Sequence, residues 1–224
     1  RQVAATPGDD EGTYQVLLQT TRGDIAGVLH PVEGGTGAAL FVGGAMGGLD
    51  GPADGAFRRL ALGGLPDARV TCLRLDYRQP NNFEECVLDV LAACSFLKGI
   101  GAEGVVLVGH SFGAAVVIKA GQLAPIVCGV VSLSPQLHGT REVEQLGKAL
   151  LLVHGTEDNV LSHEASEDIY RRAAEPKRIV LFGGAGHSLF QAKAELAALL
   201  LEWIPARLAD EPAPTGRAEV WATG

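Results

Sequence analysis

An α/β architecture is predicted: a mostly parallel sheet entered through an N-terminal antiparallel hairpin, with helices on both faces and no cap domain. Three observations predict it. Short apolar runs at 38–42, 70–75, 105–108, 126–133, 149–154 and 178–182 alternate with stretches of helical spacing. The runs are rich in Val, Ile and Leu, as strands buried on both faces must be. The connections between them are short, which favours parallel strands joined by packed helices. Ligand sites in such sheets form at the carboxyl ends of the strands.

Residues 1–12 are polar with Pro7 and Gly8, and are expected to be loose. Tyr14 to Thr20 alternates, Arg22-Gly23-Asp24 turns, and Ile25 to His30 alternates again, which reads as a hairpin. Glu33 to Gly37 is a glycine-rich turn before the buried strand Ala38 to Val42. That strand runs into Gly43-Gly44-Ala45-Met46-Gly47-Gly48. Ala53 to Leu62 reads as a helix, Val70 to Leu75 as a strand, and Phe83 to Leu97 as a helix with a regular apolar face. Then comes the run Val105 to Val108, the pentapeptide Gly109-His110-Ser111-Phe112-Gly113, and a small-residue helix. Ile126 to Leu133 is the next strand, ending in Ser134-Pro135. Ala149 to His154 follows, with Gly155-Thr156-Glu157-Asp158 after it. Ser162 caps a helix to about Ala174, Arg178 to Phe182 is the last strand, and a long helix runs from Leu189 to Trp203, reaching Pro205. The tail from Ala209, with Pro212, Pro214 and Gly216, reads as loose. A single domain over 13–208 with loose ends at 1–12 and 209–224 is therefore expected.

Composition narrows the function. The formal charge of −8 and the lack of a dense Lys/Arg cluster argue against nucleic acid and anionic membranes as partners. The longest apolar runs are too short to span a bilayer. Cys72, Cys86, Cys94 and Cys128 form no C-x-x-C pair and lie in apolar patterns, so free buried thiols are expected, without a disulfide or metal. No signal-peptide pattern is visible. The chain starts at Arg1, as a trimmed N-terminus would, and the cytoplasm is the default location.

The chemistry centres on Ser111. G-x-S-x-G between a buried strand and a helix is a sharp elbow, and glycines two residues either side allow strand and helix to approach closely. A chance match is conceivable in a chain with 30 glycines, but a random copy would rarely sit between these two elements. A serine nucleophile needs a base, and the base needs an acceptor. Of six histidines, His187 stands in a glycine-rich loop straight after the last strand, at the sheet's carboxyl edge. His154 ends a strand and is expected to pack under the turn. Asp158 follows the strand 149–154 and has the chain order Ser111, Asp158, His187. Glu157 and Asp76 are its rivals. Two backbone N–H donors are needed for an oxyanion. Phe112 is one; Ala45 is the other, with Met46 second.

These residues resemble the α/β-hydrolase superfamily, in particular its small, lidless dienelactone hydrolase-like and serine esterase members. The likeness rests on Gly109-His110-Ser111-Phe112-Gly113, on the His154-Gly155-x-x-Asp158 turn and on Gly186-His187. It spans about Tyr14 to Leu208 and implies Ser111, Asp158 and His187 as nucleophile, acid and base. Two departures stand out. Many relatives carry His-Gly where this chain has Gly43-Gly44, and dienelactone hydrolases proper use cysteine where it has Ser111. The 47 positions from Ser111 to Asp158 leave room for a short flap at Gln136 to Glu144 and not for a cap.

The expected activity is cleavage of carboxylic esters of small or exposed acyl groups through an acyl-enzyme, without metal or organic cofactor. Met46, Gln136, Leu137 and Leu161 are the expected pocket wall, and a small-molecule acyl compound is the expected partner. A peptidase or thioesterase could use the same machinery, and a non-catalytic scaffold could keep the fold. Substrate identity and oligomeric state are left open by the sequence.

Overall fold

The computed structural model describes residues 3–213 and 216–223. Ten strands form one sheet: β1 (Val3–Pro7), β2 (Tyr14–Thr20), β3 (Gly23–His30), β4 (Gly37–Val42), β5 (Val70–Leu75), β6 (Gly104–His110), β7 (Val127–Leu133), β8 (Ala149–Gly155), β9 (Lys177–Gly183) and β10 (Arg217–Ala222). Their spatial order is β1-β2-β3-β5-β4-β6-β7-β8-β9-β10. The first three strands are antiparallel to their neighbours, and β5 through β10 pair in parallel. The helices are α1 (Pro52–Leu62), α2 (Gly64–Asp67), α3 (Phe83–Gly99), α4 (Phe112–Leu123), α5 (Glu164–Arg172) and α6 (Lys193–Leu208).

The uninterrupted apolar runs make sense in this arrangement. Along β6, Val105 and Leu107 enter one core, shared with residues of α3, α4 and α5. Val106 and Val108 enter the other, shared with α1 and α6. Successive side chains leave opposite faces of a strand, so a strand covered on both faces must be apolar at every position. The chain reverses its direction of sheet growth around β4, which lies between β5 and β6. The loops after β4 and β6 are thus neighbours at the carboxyl edge, the place where sheets of this kind open a crevice.

Several expectations are corrected. The ends at 1–12 and 209–224 are not wholly loose: β1 adds to β2, pairing Val3 with Leu18, and β10 adds to β9, pairing Arg217 with Arg178. Each satisfies backbone groups that an edge strand would leave open. Pro7 ends β1 at the sheet margin, where its missing N–H costs no ladder bond. Arg1, Gln2, Pro214, Thr215 and Gly224, also in those ends, lie outside the described residues. The first turn of α1 is not a regular helix, since Ala53, Asp54 and Gly55 have positive φ. The capping of α5 is shifted: the Ser162 hydroxyl accepts from Glu164 N–H, while His163 occupies the N-cap. The last helix starts later than expected, at Lys193 after a 3₁₀ turn over Phe190–Ala192, and continues through Pro205 to Leu208. Burial of Ile204 and Arg207 holds that final turn against the sheet.

Between β7 and β8 the connection holds one 3₁₀ turn, Val143–Gln145, and no cap domain. All four cysteines are free; Cys128 is only half-buried. No helix among the described residues is long and apolar enough to cross a membrane.

Candidate active site

Ser111 follows β6 directly and has φ 58° and ψ −116°. A non-glycine residue there costs about 1–3 kcal/mol, so surrounding contacts must impose it. They do: Ser111 N–H donates to Leu133 O at 2.8 Å, and Ser111 O accepts from Ala114 N–H at 3.1 Å. The flanking glycines are required by proximity. A Cβ on Gly109 would strike the Gly113 carbonyl, and one on Gly113 would strike the carbonyl of Gly43. The hydroxyl is left at the N-terminus of α4, where negative charge is favoured.

His187 lies beyond β9. Its Nε2 is 3.0 Å from Ser111 Oγ, and its Nδ1 is 2.7 Å from Asp158 Oδ2. With Nδ1–H donating to the carboxylate, Nε2 is free to accept the serine proton. The loop carrying His187, with glycines at 183, 184 and 186, is tied down. Glu157 N–H donates to Ala185 O at 3.0 Å, Gly186 N–H to Gln191 Oε1 at 3.2 Å, and Ala53 N–H to Ser188 O at 2.6 Å. The irregular start of α1 is thereby explained: it turns an amide toward the histidine loop. His110 supplies another tie, its Nε2–H donating to His187 O at 3.0 Å. Burial, opposed in part by that hydrogen bond, lowers the His110 pKa to about 4, so the ring is neutral at pH 7.

Asp158 has a fully buried side chain. Its Oδ1 accepts Val160 and Leu161 N–H, each at 2.8 Å. Its Oδ2 accepts His187 Nδ1–H and also His154 Nε2, the latter at 3.0 Å. Burial acts to raise its pKa, but the Leu161 and Val160 amides and His187 outweigh it and hold the carboxyl below the ordinary range. Of the rivals, Glu157 is exposed, and Asp76 Oδ1 instead accepts Gly48 N–H at 3.1 Å in the loop after β4.

That loop passes against the nucleophile. A Cβ built on Gly44 would sit 3.6 Å from Ser111 Cβ, and Ala45 is the next residue. Gly47 N–H closes the turn onto Gly44 O at 3.0 Å. Phe112, at the first position of α4, has an N–H without an intrahelical acceptor.

The four expected wall residues are not brought together. Gln136, Leu137 and Leu161 line one cleft of about 510 Å3, with Ser162, Ala165 and Arg171. Met46 does not line it and is 93% exposed at the turn tip. His154, expected merely to pack under the turn, also reaches Asp158, a contact the sequence reading missed. Its spacing of four from Asp158 was visible, but the partner that completes its bonding, Ser166 on α5, was not. His30, His138 and His163 lie elsewhere: His30 accepts from Arg74 Nε–H at 3.0 Å, His138 packs edgewise on Phe83, and His163 starts α5. Among the described residues no group of three or more His, Cys, Asp or Glu could hold a metal ion.

Comparison with known proteins bears on this arrangement. The model of the Dienelactone hydrolase family matches residues 74–211, which include Ser111, Asp158 and His187. No curated protein matches the chain in sequence. Among solved structures, Est1E from Butyrivibrio proteoclasticus is similar with a TM-score of 0.76 at 16% identity, over 87% of this chain and 99% of that one. A dienelactone hydrolase from Anabaena variabilis gives a TM-score of 0.73 at 21% identity, over 85% and 95%. A monoacylglycerol lipase from Paleococcus ferrophilus gives 0.68 at 18% identity, over 82% and 99%. At such identities the structural likeness speaks for the α/β-hydrolase fold. The family match covers more than half of the chain, and the protein belongs to the Dienelactone hydrolase family.

Proposed function

We propose that this protein is a serine hydrolase that cleaves carboxylic esters of small or exposed acyl groups. The observation that carries the reading is the continuous contact Ser111 Oγ to His187 Nε2 at 3.0 Å and His187 Nδ1 to Asp158 Oδ2 at 2.7 Å. Ser111 Oγ attacks the carbonyl while His187 Nε2 takes its proton. Asp158 keeps Nδ1 protonated and balances the imidazolium. Negative charge developing on the carbonyl oxygen is held by the N–H groups of Phe112 and Ala45, beside the N-terminus of α4. The tetrahedral intermediate collapses, His187 returns the proton to the departing alcohol, and an acyl-Ser111 remains. Water, deprotonated by His187, then attacks the acyl carbon; the acyl–Oγ bond breaks, His187 returns the proton to Ser111 and the acid leaves.

A family named for cysteine-dependent lactone chemistry does not fix the substrate here. Serine is the less acidic nucleophile and depends fully on its base, which suits the close serine–histidine contact. The connection after β7, residues 134–148, carries one 3₁₀ turn and no cap, and Leu137 is 50% exposed, so a small or protruding acyl group fits better than a long chain that needs enclosure. Gln136, Leu137 and Leu161 form the wall on the acid side.

The test is turnover of short nitrophenyl esters beside acyl-thioesters and aminoacyl amides. Ester cleavage that is abolished in Ser111→Ala is expected. Cleavage of thioesters or amides alone would move the protein to the thioesterase or peptidase reading. Failure to hydrolyse any of the three, with Ser111 inert to a fluorophosphonate, would favour a scaffold that has kept the fold.

A further inference from the structure

We propose that His154 is a positioning residue for the reaction above, holding Asp158 through a neutral Nε2–H while Ser166 holds His154. The inference rests on the proposed triad and extends it to five side chains: Ser166, His154, Asp158, His187 and Ser111.

The protonation pattern follows from the partners. His154 Nε2 lies 3.0 Å from Asp158 Oδ2 and 3.0 Å from Leu161 O. Both are acceptors, so the proton must sit on Nε2 and be shared between them. Nδ1 is 2.8 Å from Ser166 Oγ, and the serine hydroxyl donates to it. His154 and Ser166 are both fully buried. Burial lowers the His154 pKa, opposed by Leu161 O and by Asp158, and so favours this neutral form. The other titratable groups nearby are His187, bonded to the same carboxylate oxygen, and His110, whose ring lies 4.9 Å from that of His187.

The arrangement locks the carboxylate. Val160 and Leu161 N–H occupy Oδ1, and His154 occupies one side of Oδ2. The remaining direction on Oδ2 faces His187 Nδ1. The carboxylate therefore cannot rotate without breaking bonds in a buried site, where unpaired polar groups are costly. His154 has no access to substrate, so its effect must pass through Asp158. Two elements thus fix the acid: β8, which carries His154, and α5, which carries Ser166.

Three variants and one spectrum test the proposal. His154→Leu removes the donor and is expected to lower kcat about 10- to 100-fold, the rate equivalent of one hydrogen bond to a charged group, with KM unchanged. A carboxylate that loses a donor becomes more basic and holds the imidazolium more tightly. The acid limb of kcat should therefore move to higher pH, by roughly half a unit. His154→Gln restores an N–H donor and should recover most of the rate. Ser166→Ala should cost only a few-fold, since Leu161 O and Asp158 still hold the ring. A limb that moves to lower pH, or a KM that rises as much as kcat falls, would mean a slackened loop and overturn the proposal. So would failure of the glutamine variant to exceed the leucine one.

The nitrogen-15 spectrum of the labelled wild-type protein decides the tautomer without substrate or variant. At neutral pH His154 should be neutral and Nε2-protonated. A ring that is Nδ1-protonated, or doubly protonated, at that pH would overturn the proposal. Absence of ester turnover in the wild type would instead sink the hydrolase reading and leave the tautomer result standing on its own.

Discussion

On the acid–base side of the proposed site, Asp158 alone accepts four hydrogen bonds, and the histidine loop is pinned by Ala53, His110 and Gln191. On the oxyanion side, the loop after β4 is closed by one turn hydrogen bond, Gly47 to Gly44, and braced by Asp76 on Gly48. The first half is fixed by polar, directional contacts, those from the His154, His110 and Gln191 side chains open to removal without steric harm. The second is fixed by backbone against backbone, where Gly43 and Gly113 meet with no room for a Cβ. Deletions should reveal the former, insertions of a single methyl the latter.

The largest effect sits where the halves meet. Ser111→Ala should abolish ester turnover while the melting temperature stays near that of the wild type, because alanine disturbs no core contact and removes only a half-buried hydroxyl. Retained turnover would break the account. Next, Asp158→Asn should cost about 10⁴ in kcat by analogy with other triads, whereas Glu157→Gln should cost little. The reverse order would transfer the acid role to Glu157.

On the steric side, Gly113→Ala should both destabilise the fold, by about 1–3 kcal/mol, and slow catalysis, since the added methyl pushes the elbow away from the Gly43 carbonyl. A denaturation curve equal to wild type would show that the two loops are not in contact. Asp76→Asn should give only a few-fold kinetic change, because an amide oxygen can still accept Gly48 N–H.

Stability should also respond to pH in a defined direction. Burial first, with the Arg74 cation second, lowers the His30 pKa to about 4, and burial lowers that of His110 to about 4. The unfolded chain takes up these protons from about pH 6.5 downward, whereas the folded one resists until about pH 4. Stability should therefore fall as pH drops through this window. His30→Gln, which keeps an acceptor for Arg74, should flatten the fall; an unchanged slope in thermal melts would remove His30 from the explanation.

Much of this molecule is legible in its sequence, for reasons that differ by residue. Val105 to Val108 announces a strand buried on both faces, and G-x-S-x-G after it leaves few other conformations. The chain order of Ser111, Asp158 and His187 follows from the ends of successive strands. Residues whose state is set by a distant partner are less readable. Val3–Pro7 and Arg217–Ala222 are short and mostly exposed, and become strands only because β2 and β9 offer open edges. Ala53 and Asp54 take positive φ although neither is glycine, because an amide is needed at Ser188. Met46 looked like a wall residue from its place in the loop, yet the Gly44–Gly47 turn throws it into solvent. His154 looked like packing because α5, which supplies Ser166, is brought to it only by the fold.

The most direct measurement is a crystal structure of the protein after reaction with a small alkyl fluorophosphonate. Phosphorus bonded to Ser111 Oγ is expected, with one phosphoryl oxygen facing the N–H groups of Phe112 and Ala45 and His187 Nε2 within hydrogen-bond reach. A phosphonate on any other residue, or an oxygen turned away from both amides, would contradict the account.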